Sequence, residues 1–209
     1  MSADVYFFDC DKTLYDYDFR KRLPRLSELT GVSQYRLAAT WWAGGYEEAA
    51  ERGEFTTADE YLAAFGEVTG SRLDLAGWQD ARRAAMTRIE GSMDALRLAA
   101  TLGTVSLLSN NPIIFQASLP VLAPDIAACV GSNDLVSAVL GARKPERRIY
   151  TRALGRFGIA AENAFFVDDS PANVRGAEDV GITAFRLRHT DEGFNTDELA
   201  AAIRAFSER

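Results

Sequence analysis

The chain has little of the two residue types that most often build nucleophilic and zinc sites. Its 209 residues include one histidine, His189, and two cysteines, Cys10 and Cys129. A single histidine argues against a Ser-His-Asp triad, a histidine pair or a multi-histidine zinc centre. Two distant cysteines make neither a metal-binding spacing nor a disulfide framework, so we expect a reducing compartment. We interpret Cys10, which stands between two aspartates, as a small buried filler and not as a nucleophile.

The chain also lacks an excess of positive charge and any long apolar run. Lysine and arginine number 23 against 30 aspartates and glutamates, for a net charge of -7. This balance argues against binding to nucleic acid or to an anionic membrane surface, since both need basic patches. No apolar stretch approaches the ~20 residues of a membrane-spanning helix, and Asp4 is atypical of a signal peptide. We therefore expect a cytoplasmic protein with no nucleic-acid or membrane partner, and the sequence leaves its oligomeric state open.

The hydrophobic pattern differs between the two parts of the chain. An apolar segment at residues 5–8 predicts a short buried strand, and residues 15–88 then show helical spacing with no convincing strand. After Gly91, apolar strands alternate with helices. These strands are predicted at residues 104–108, 164–167 and 182–187, with a weaker one around Cys129 and Val130.

Strands that are apolar throughout and alternate with helices are typical of a parallel sheet covered on both faces. The first strand stands at the start of the chain, and the strands that would join it follow the helical region. We therefore predict an α/β core formed by residues 1–14 and 89–209. Residues 15–88 are predicted to form an all-helical cap domain inserted into that core.

Polar residues follow the predicted strands at the point where each strand ends. They are Asp9, Asp11 and Thr13 after the first strand, Ser109 and Asn110 after the second, and Asp168 and Asp169 after a later one, with Lys144 before a predicted helix. The carboxyl ends of parallel strands meet at one edge of a sheet, where ligands bind. Carboxylates there can hold Mg²⁺, while a hydroxyl, an amide and a lysine bind phosphoryl oxygens and one carboxylate attacks phosphorus. The set therefore indicates phosphoryl transfer.

Each of these residues also has an ordinary structural interpretation. Ser109 could be a helix N-cap, and Lys144 could be a solvated residue at a helix start. Residues 168–171 could be only an N-cap followed by a helix-starting proline. Taken singly, these alternatives are as good as the functional ones. The complete set, in this order along the chain, favours the functional interpretation.

Four segments of the chain resemble the motifs of the haloacid dehalogenase-like superfamily of hydrolases. They are residues 8–14 (Phe-Asp-Cys-Asp-Lys-Thr-Leu), 107–110 (Leu-Leu-Ser-Asn), 143–145 (Arg-Lys-Pro) and 166–170 (Phe-Val-Asp-Asp-Ser). The resemblance implies a Rossmann-like parallel sheet core. A helical insert between the first and second motifs matches members with a small α-helical cap. Residues 41–56 are similar to the caps of sugar-phosphate phosphatase-like members.

The resemblance also implies a role for each matching residue. Asp9 would be the nucleophile and a Mg²⁺ ligand, and Asp11 the general acid and base, with its backbone carbonyl on the metal. Asp168 and Asp169 would complete the metal site. Ser109 and Lys144 would bind the phosphoryl group, Asn110 would touch substrate, and Thr13 would support the motif loop beside the substrate. Asn173 and Arg175 would be structural, and Lys12 stands where many relatives have glycine.

Asp11 distinguishes activities within the family. A departing halide needs no proton, whereas the alkoxide of a phosphate ester does, so Asp11 favours phosphatase chemistry over dehalogenation. We expect an Mg²⁺-dependent phosphatase that acts on a small phosphorylated metabolite, either a sugar phosphate or a nucleoside monophosphate. A phosphomutase, a dehalogenase and an inactive phosphate-binding module are the alternatives. Candidates to line the mouth of the site are Tyr15, Tyr17, Arg20, Trp41, Trp42 and Tyr46. Packing inside the cap is the stronger interpretation for the two tryptophans.

Overall fold

A five-stranded parallel sheet forms the centre of the protein in a computed structural model that describes residues 4–191 and 193–209. The strands, in chain order, are β1 (Val5–Phe8), β2 (Tyr15–Tyr17), β3 (Met86–Arg88), β4 (Thr104–Ser109), β5 (Asp134–Val136), β6 (Ala164–Asp168), β7 (Thr183–Arg186), β8 (His189–Thr190) and β9 (Gly193–Phe194). The order across the sheet is β5-β4-β1-β6-β7. Because β1 is the middle strand, the residues that follow it lie at the centre of the edge formed by the carboxyl ends of the strands.

The side chains of β1 explain its central position. Tyr6, Phe7 and Phe8 are fully buried and Val5 is nearly so. Successive side chains of a strand point to opposite faces. Accordingly, Tyr6 and Phe8 pack in one apolar cluster, and Val5 and Phe7 pack in a second. A strand with no polar face needs cover on both sides, which the helices supply.

The helices cover both faces of the sheet and build the cap. In chain order they are α1 (Phe19–Thr30), α2 (Gln34–Leu37), α3 (Tyr46–Glu51), α4 (Ala58–Thr69), α5 (Leu75–Ala84), α6 (Glu90–Leu102), α7 (Ile113–Leu122), α8 (Pro124–Val130), α9 (Ser137–Leu140), α10 (Arg147–Phe157), α11 (Pro171–Glu178) and α12 (Thr196–Ser207). A π-helical segment, Ala38–Trp42, continues α2, and a short 3-10 helix, Ala161–Asn163, precedes β6. The predicted Rossmann-like α/β core with a helical cap is confirmed.

The cap has an aromatic core of its own centred on Trp41. This residue is fully buried, and the rings of Tyr46, Phe55, Tyr61 and Phe65 lie 5.0–6.1 Å from its ring. Aromatic pairs at this separation add to the stabilisation that comes from burying their area. The packing interpretation of Trp41 is therefore confirmed, because its ring is enclosed by the cap.

The prediction that residues 15–88 contain no strand is wrong. β2 and β3 pair as an antiparallel ribbon in which Tyr15 faces Arg88 and Tyr17 faces Met86. The last helix of the cap, α5, ends at Ala84, and β3 follows it. Three residues are too few to show the alternation that identifies a strand in sequence. The chain thus leaves the core and returns to it through this ribbon. The domain limits at residues 14 and 89 stay a prediction.

The weaker strand predicted around Cys129 and Val130 is also wrong. Both residues belong to α8, which has Pro124 in its first turn and ends at Gly131, whose φ is 57°. The outer strand is β5, which pairs with the end of β4. The apolar run at the end of α8 resembles a buried strand because a short run carries no clear period.

No single helix in the described residues combines the length and apolar composition needed to cross a membrane. The helices α7 and α8 meet that test only together, and they are bent by 107° where they join.

Candidate active site

Asp9 lies at the centre of the sheet edge, directly after β1. Its backbone N–H donates to the carbonyl of Val167 at 2.9 Å, which continues the pairing of β1 with β6. The carboxylate is only 6% exposed. Its Oδ1 accepts a hydrogen bond from the Ser109 hydroxyl at 2.7 Å and lies 2.8 Å from the Nζ of Lys144. Ser109 ends β4, and α7 begins four residues later, so the helix-cap alternative for Ser109 is wrong.

Lys144 is buried between two carboxylates. It is 4% exposed, and its Nζ lies 2.6 Å from Oδ2 of Asp168 as well as close to Asp9. The solvated interpretation of Lys144 is therefore wrong. Asn110 fixes the backbone of Lys144, since its amide donates to the Lys144 carbonyl at 3.0 Å and accepts from the Lys144 N–H at 2.9 Å. Asn110 thus orients the lysine, and its predicted contact with substrate stays a prediction.

Asp168 is held from two sides at the end of β6. Its Oδ1 accepts from the Ser170 N–H at 2.9 Å, and both its oxygens accept from the Asn173 amide at 3.0 and 3.1 Å. Ser170 is the N-cap of α11, and Pro171 stands in the first turn. The helix-cap interpretation therefore applies to Ser170, which leaves Asp168 available for the site.

The carboxylates of Asp9, Asp168 and Asp169 converge. One oxygen from each lies within 4.8 Å of the others, an arrangement that can hold a metal ion. Oxygen ligands from a few carboxylates, with room left for water and phosphate, suit Mg²⁺. Three carboxylates face the single charge of Lys144, so the cluster has a surplus of negative charge that a divalent cation would neutralise. The residues therefore fit the predicted metal.

Burial and the surplus negative charge raise pKa values in this cluster. Burial raises the pKa of Asp9 to about 7, the carboxylates of Asp168 and Asp11 add to the effect, and Lys144 opposes it. Burial disfavours the charged form of Lys144, but Asp168 and Asp9 outweigh it and raise the pKa of the amine. Burial and the charge of Asp168 also raise the pKa of Asp169. Carboxylates with pKa values raised by burial and by neighbouring negative charge are typical of functional sites, and a bound cation would favour their charged form.

Asp11 contacts one residue of the cap and one of the core. Both of its carboxylate oxygens lie 2.6 Å from Nη2 of Arg82, and Oδ2 accepts from the amide of Asn111 at 3.3 Å. Asn111 also donates to the Ser109 hydroxyl at 2.9 Å. Sequence reasoning missed Arg82 and Asn111. Arg82 and Arg83 stand in the last turn of α5, where basic residues are common because they complement the helix dipole.

The loop between Asp9 and β2 is a tight turn. The N–H of Leu14 donates to the carbonyl of Cys10 at 2.9 Å, and Lys12 has a φ of 61°. Thr13 is fully buried, and its hydroxyl has no hydrogen-bond partner among the described residues. Its predicted place beside the substrate stays a prediction. Cys10 is also fully buried, and burial raises the pKa of its thiol well above the usual value, which agrees with a filler role.

A cavity of about 470 Å³ reaches the metal cluster at Asp169. Its lining residues are Lys12, Asp16, Asp169, Arg186, Leu187, Arg188, His189 and Phe194. A neighbouring cavity of about 420 Å³ shares Lys12 and Asp16 and continues to Tyr17 and Arg20, two of the residues predicted to lie at the mouth.

The family model of the haloacid dehalogenase-like hydrolases matches residues 3–181 of the chain. Phosphatase MT3486 of Mycobacterium tuberculosis (strain CDC 1551 / Oshkosh) is 28% identical over 198 residues, which cover 88% of this chain and 87% of that protein. The chloroplast protein flavin mononucleotide hydrolase 1 of Arabidopsis thaliana is 27% identical over 134 residues, which cover 64% of this chain and 54% of that protein. The chain therefore spans about half the length of the Arabidopsis relative.

Solved structures share the fold. A HAD family enzyme, bt-2542 of Bacteroides thetaiotaomicron, superposes with a TM-score of 0.73 at 19% identity over 90% of this chain and 95% of that chain. Its complex with magnesium and inorganic phosphate gives a TM-score of 0.67 at 18% identity over 89% and 94%. A 2-haloacid dehalogenase of Pseudomonas syringae pv. Tomato DC3000 gives 0.66 at 17% identity over 97% and 98%. The same fold thus carries different chemistries, and the residues of the site must decide between them.

Proposed function

The chain belongs to the haloacid dehalogenase-like hydrolase family, and we propose that it is an Mg²⁺-dependent phosphatase of small phosphomonoesters. The observation that carries this proposal is the unequal use of the two oxygens of Asp9. Oδ1 is held by Ser109 and Lys144, whereas no described residue donates a hydrogen bond to Oδ2. A carboxylate fixed through one oxygen with the other free is suited to attack a phosphorus atom.

In this mechanism Asp9 attacks the phosphorus in line and forms an aspartyl-phosphate. The Ser109 hydroxyl and the Lys144 ammonium already converge on Asp9, so they are placed to bind phosphoryl oxygens as negative charge develops there. Asp168 and Asp169 would share the metal with Asp9, together with the backbone carbonyl of Asp11. The bound Mg²⁺ would supply positive charge that favours attack on the phosphoryl group.

Asp11 supports phosphate-ester hydrolysis over dehalogenation. Its carboxyl would give a proton to the ester oxygen as the P–O bond breaks, and the resulting carboxylate would then take a proton from the water that hydrolyses the aspartyl-phosphate. Asp11 makes its contacts to Arg82 and Asn111, separately from the contacts of Asp9. Two neighbouring carboxylates with different partners suit one nucleophile and one proton carrier.

We infer the substrate class from the size of the cavities and from the relatives. The cavities beside Asp169 and Lys12 suit a leaving group of metabolite size, and the two relatives bear the names of a phosphatase and a flavin mononucleotide hydrolase. A sugar phosphate or a nucleoside monophosphate is the proposed substrate. The two free cysteines support a reducing, cytoplasmic location.

The test is the turnover of p-nitrophenyl phosphate in Mg²⁺ by wild type, Asp9→Asn and a control, Asp94→Asn. Asp94 lies on α6 with an exposed side chain. We expect Asp9→Asn to lose at least about 1,000-fold in kcat, the scale seen when a nucleophile is removed, and Asp94→Asn to match wild type. Turnover by Asp9→Asn within tenfold of wild type would contradict the nucleophile. Release of halide from 2-haloacids by wild type without Mg²⁺, or isomerisation of a sugar phosphate without release of phosphate, would favour the alternatives.

A further inference from the structure

Arg82 is the group that joins the cap to the proposed acid–base residue. It stands near the end of the cap helix α5 and is only 2% exposed. Its Nη2 lies 2.6 Å from both oxygens of Asp11 and donates to the side-chain oxygen of Asn111 at 3.3 Å. Asn111 in turn donates to the Ser109 hydroxyl. One nitrogen of a cap side chain thus reaches the acid–base residue and a neighbour of the phosphoryl-binding serine.

Two aromatic rings hold the guanidinium in place. Its central carbon lies 4.3 Å from the ring centre of Tyr17 and 4.8 Å from that of Phe115. Contacts of this kind between a cation and an aromatic face are strongest when the cation is desolvated. Tyr17 belongs to β2 of the connecting ribbon and Phe115 to α7 of the core. Arg82 is therefore fixed by the cap, the ribbon and the core at once.

The charge on Arg82 is retained in this buried position. Burial alone would lower the pKa of the guanidinium, but Asp11 and Tyr17 outweigh burial and raise it. The Nε of Arg82 has no hydrogen-bond partner among the described residues, so the hydrogen bonds of this charge pass through Nη2 to Asp11 and Asn111. A buried guanidinium with so few partners depends on the carboxylate it faces.

We infer that Arg82 is a positioning residue that orients Asp11 for proton transfer and couples that transfer to the seating of the cap. The inference rests on the proposed phosphatase function. When Asp11 gives its proton to the ester oxygen, the P–O electron pair passes to that oxygen, and the new carboxylate is paired with Arg82. The same ion pair then holds the carboxylate in position to accept a proton from water. A cap that lifts from the core takes Arg82 away from Asp11 and interrupts both transfers.

The leaving group distinguishes this role from a direct contact with substrate. A p-nitrophenolate leaves without a proton, whereas an alkoxide needs one from Asp11. Asp11 also takes a proton from water when the aspartyl-phosphate is hydrolysed, and that step is common to both esters, so the comparison is made on the release of the leaving group in a single turnover. In that step, a residue that acts through Asp11 matters for alkyl phosphates and much less for aryl phosphates. A residue that binds the phosphoryl group matters equally for both, and its loss also weakens inhibition by inorganic phosphate.

The experiment compares Arg82→Met with wild type on glycerol 2-phosphate and on p-nitrophenyl phosphate. Arg83→Met is the matched control, because Arg83 is the next residue of α5 and is exposed. In a single turnover with enzyme in excess, we expect Arg82→Met to lose at least about 100-fold in the rate of leaving-group release from the alkyl ester and less than about tenfold from the aryl ester. Inhibition by inorganic phosphate should stay within about twofold, since the groups that bind the phosphoryl group are unchanged. Arg83→Met should match wild type.

A second set of variants carries the test if Arg82→Met does not fold. Arg82→Lys keeps the positive charge but loses the planar group, and we expect an intermediate loss that is again confined to the alkyl ester. In an Asp11→Asn background, replacing Arg82 by lysine or methionine should cause little further loss, because coupled residues are not additive.

Equal losses on both esters, a raised inhibition constant for inorganic phosphate, or additive effects with Asp11→Asn would overturn the role of Arg82. These outcomes leave the phosphatase proposal standing, since wild type would still hydrolyse both esters. A wild-type protein that hydrolyses neither ester in Mg²⁺ contradicts the proposed function itself, and with it this inference. The two failures are therefore distinguishable in one set of assays.

Discussion

Two of the clusters of buried charge in the described residues are balanced differently. The core cluster, which we define as Asp9, Lys144, Asp168 and Asp169, sets three carboxylates against one lysine. The cap cluster, which we define as Arg22, Glu47, Trp41 and Tyr61, sets one carboxylate against one guanidinium. Of these two clusters, only the core cluster carries surplus charge, which a divalent cation would neutralise.

The two opposite charges of the cap cluster are paired within the chain. Glu47 is 9% exposed, and its Oε2 accepts from the indole N–H of Trp41 at 2.5 Å and from the hydroxyl of Tyr61 at 2.6 Å. Its Oε1 lies 3.8 Å from Nη1 of Arg22, which donates to the hydroxyl of Tyr17. Buried charge by itself therefore does not mark a site. The core cluster differs from the cap cluster in three ways: it has an excess of negative charge, Oδ2 of Asp9 accepts no hydrogen bond from a described residue, and a cavity reaches Asp169.

The largest effect is expected when the core cluster loses a carboxylate. Asp168→Asn keeps the size of the side chain but removes a proposed metal ligand and a counter-charge of Lys144. We expect kcat on p-nitrophenyl phosphate in Mg²⁺ to fall by about 1,000-fold, which corresponds to about 4 kcal/mol. Asp179→Asn, an exposed position at the end of α11, is the control. If Asp168→Asn turned over substrate within tenfold of the wild-type rate, the core cluster would not be needed for activity, and the proposed functional difference between the two clusters would be contradicted.

The second effect concerns stability and belongs to the cap cluster. Glu47→Ala leaves the guanidinium of Arg22 buried without its carboxylate, and we expect the free energy of unfolding to fall by about 3 kcal/mol. Urea denaturation measures the loss, with the exposed Glu67→Ala on α4 as the control. Mg²⁺ should raise the melting temperature of Glu47→Ala as much as it raises that of wild type. A variant with Glu47→Ala that is as stable as wild type would show that the cap cluster is not structural.

Mg²⁺ itself should distinguish the clusters by stabilising the core. At a concentration about 100 times its Kd, the ion should raise the free energy of unfolding by about 2.7 kcal/mol through linkage. Thermal denaturation with Mg²⁺ and with a chelator measures the shift. Asp169→Asn should lose most of the shift, while Glu47→Ala should keep it. An equal response in both variants would contradict a metal site at the core cluster.

The smallest effect concerns Glu51 of α3, whose side chain is largely buried beside Arg143. Burial raises its pKa to about 7, with Arg143 opposing and Glu47 and Asp11 adding to the rise. The Arg143 Nε lies 2.6 Å away, but neither atom is in hydrogen-bond geometry with a partner among the described residues, so the ion pair offsets burial only in part. A raised carboxyl pKa favours the protonated folded state, and this stability is lost as pH rises from about 4.5 to 7.

Glu51→Gln should therefore stabilise the protein at pH 8 by about 1–2 kcal/mol, and the gain should vanish near pH 4.5. Urea denaturation at pH 4.5, 6 and 8 measures it. Glu48→Gln is the control, because Glu48 also pairs with Arg143 but is exposed, and its hydrogen bond from Arg52 lowers its pKa. This control should show no gain at pH 8. A gain in Glu51→Gln that does not depend on pH would contradict the raised pKa.

The three carboxylates of the core cluster could be predicted because they follow strands that are themselves visible in the sequence. Asp9 and Asp168 come directly after runs of β-forming apolar residues, and parallel strands bring their carboxyl ends together. Lys144 follows no such strand, and only its place in a motif indicated it. The fold class was predictable for the same reason, since apolar strands and helical spacing are local patterns.

The contacts of Asp11 could not be predicted in the same way. Arg82 stands 71 positions later on a helix whose sequence favours an ordinary basic end. Its partner depends on how the cap is seated, which in turn depends on β2 and β3, and these strands are too short to recognise. The error at Cys129 and Val130 has a related cause, because a short apolar run fits a buried helix end as well as a strand. The position of the cap relative to the core therefore could not be predicted from local sequence patterns.

The ribbon of β2 and β3 has a consequence for the order of folding. In the sheet, Phe8 pairs with Leu107, 99 positions later in the chain. Once Tyr15 and Arg88 are paired, the loop that joins Phe8 to Leu107 shortens to about 26 effective positions. The free-energy cost of closing that loop then falls by about 1 kcal/mol. A cap that folds early and closes its ribbon thus accelerates nucleation of the sheet, and variants that loosen the ribbon should refold more slowly even where the finished protein is equally stable.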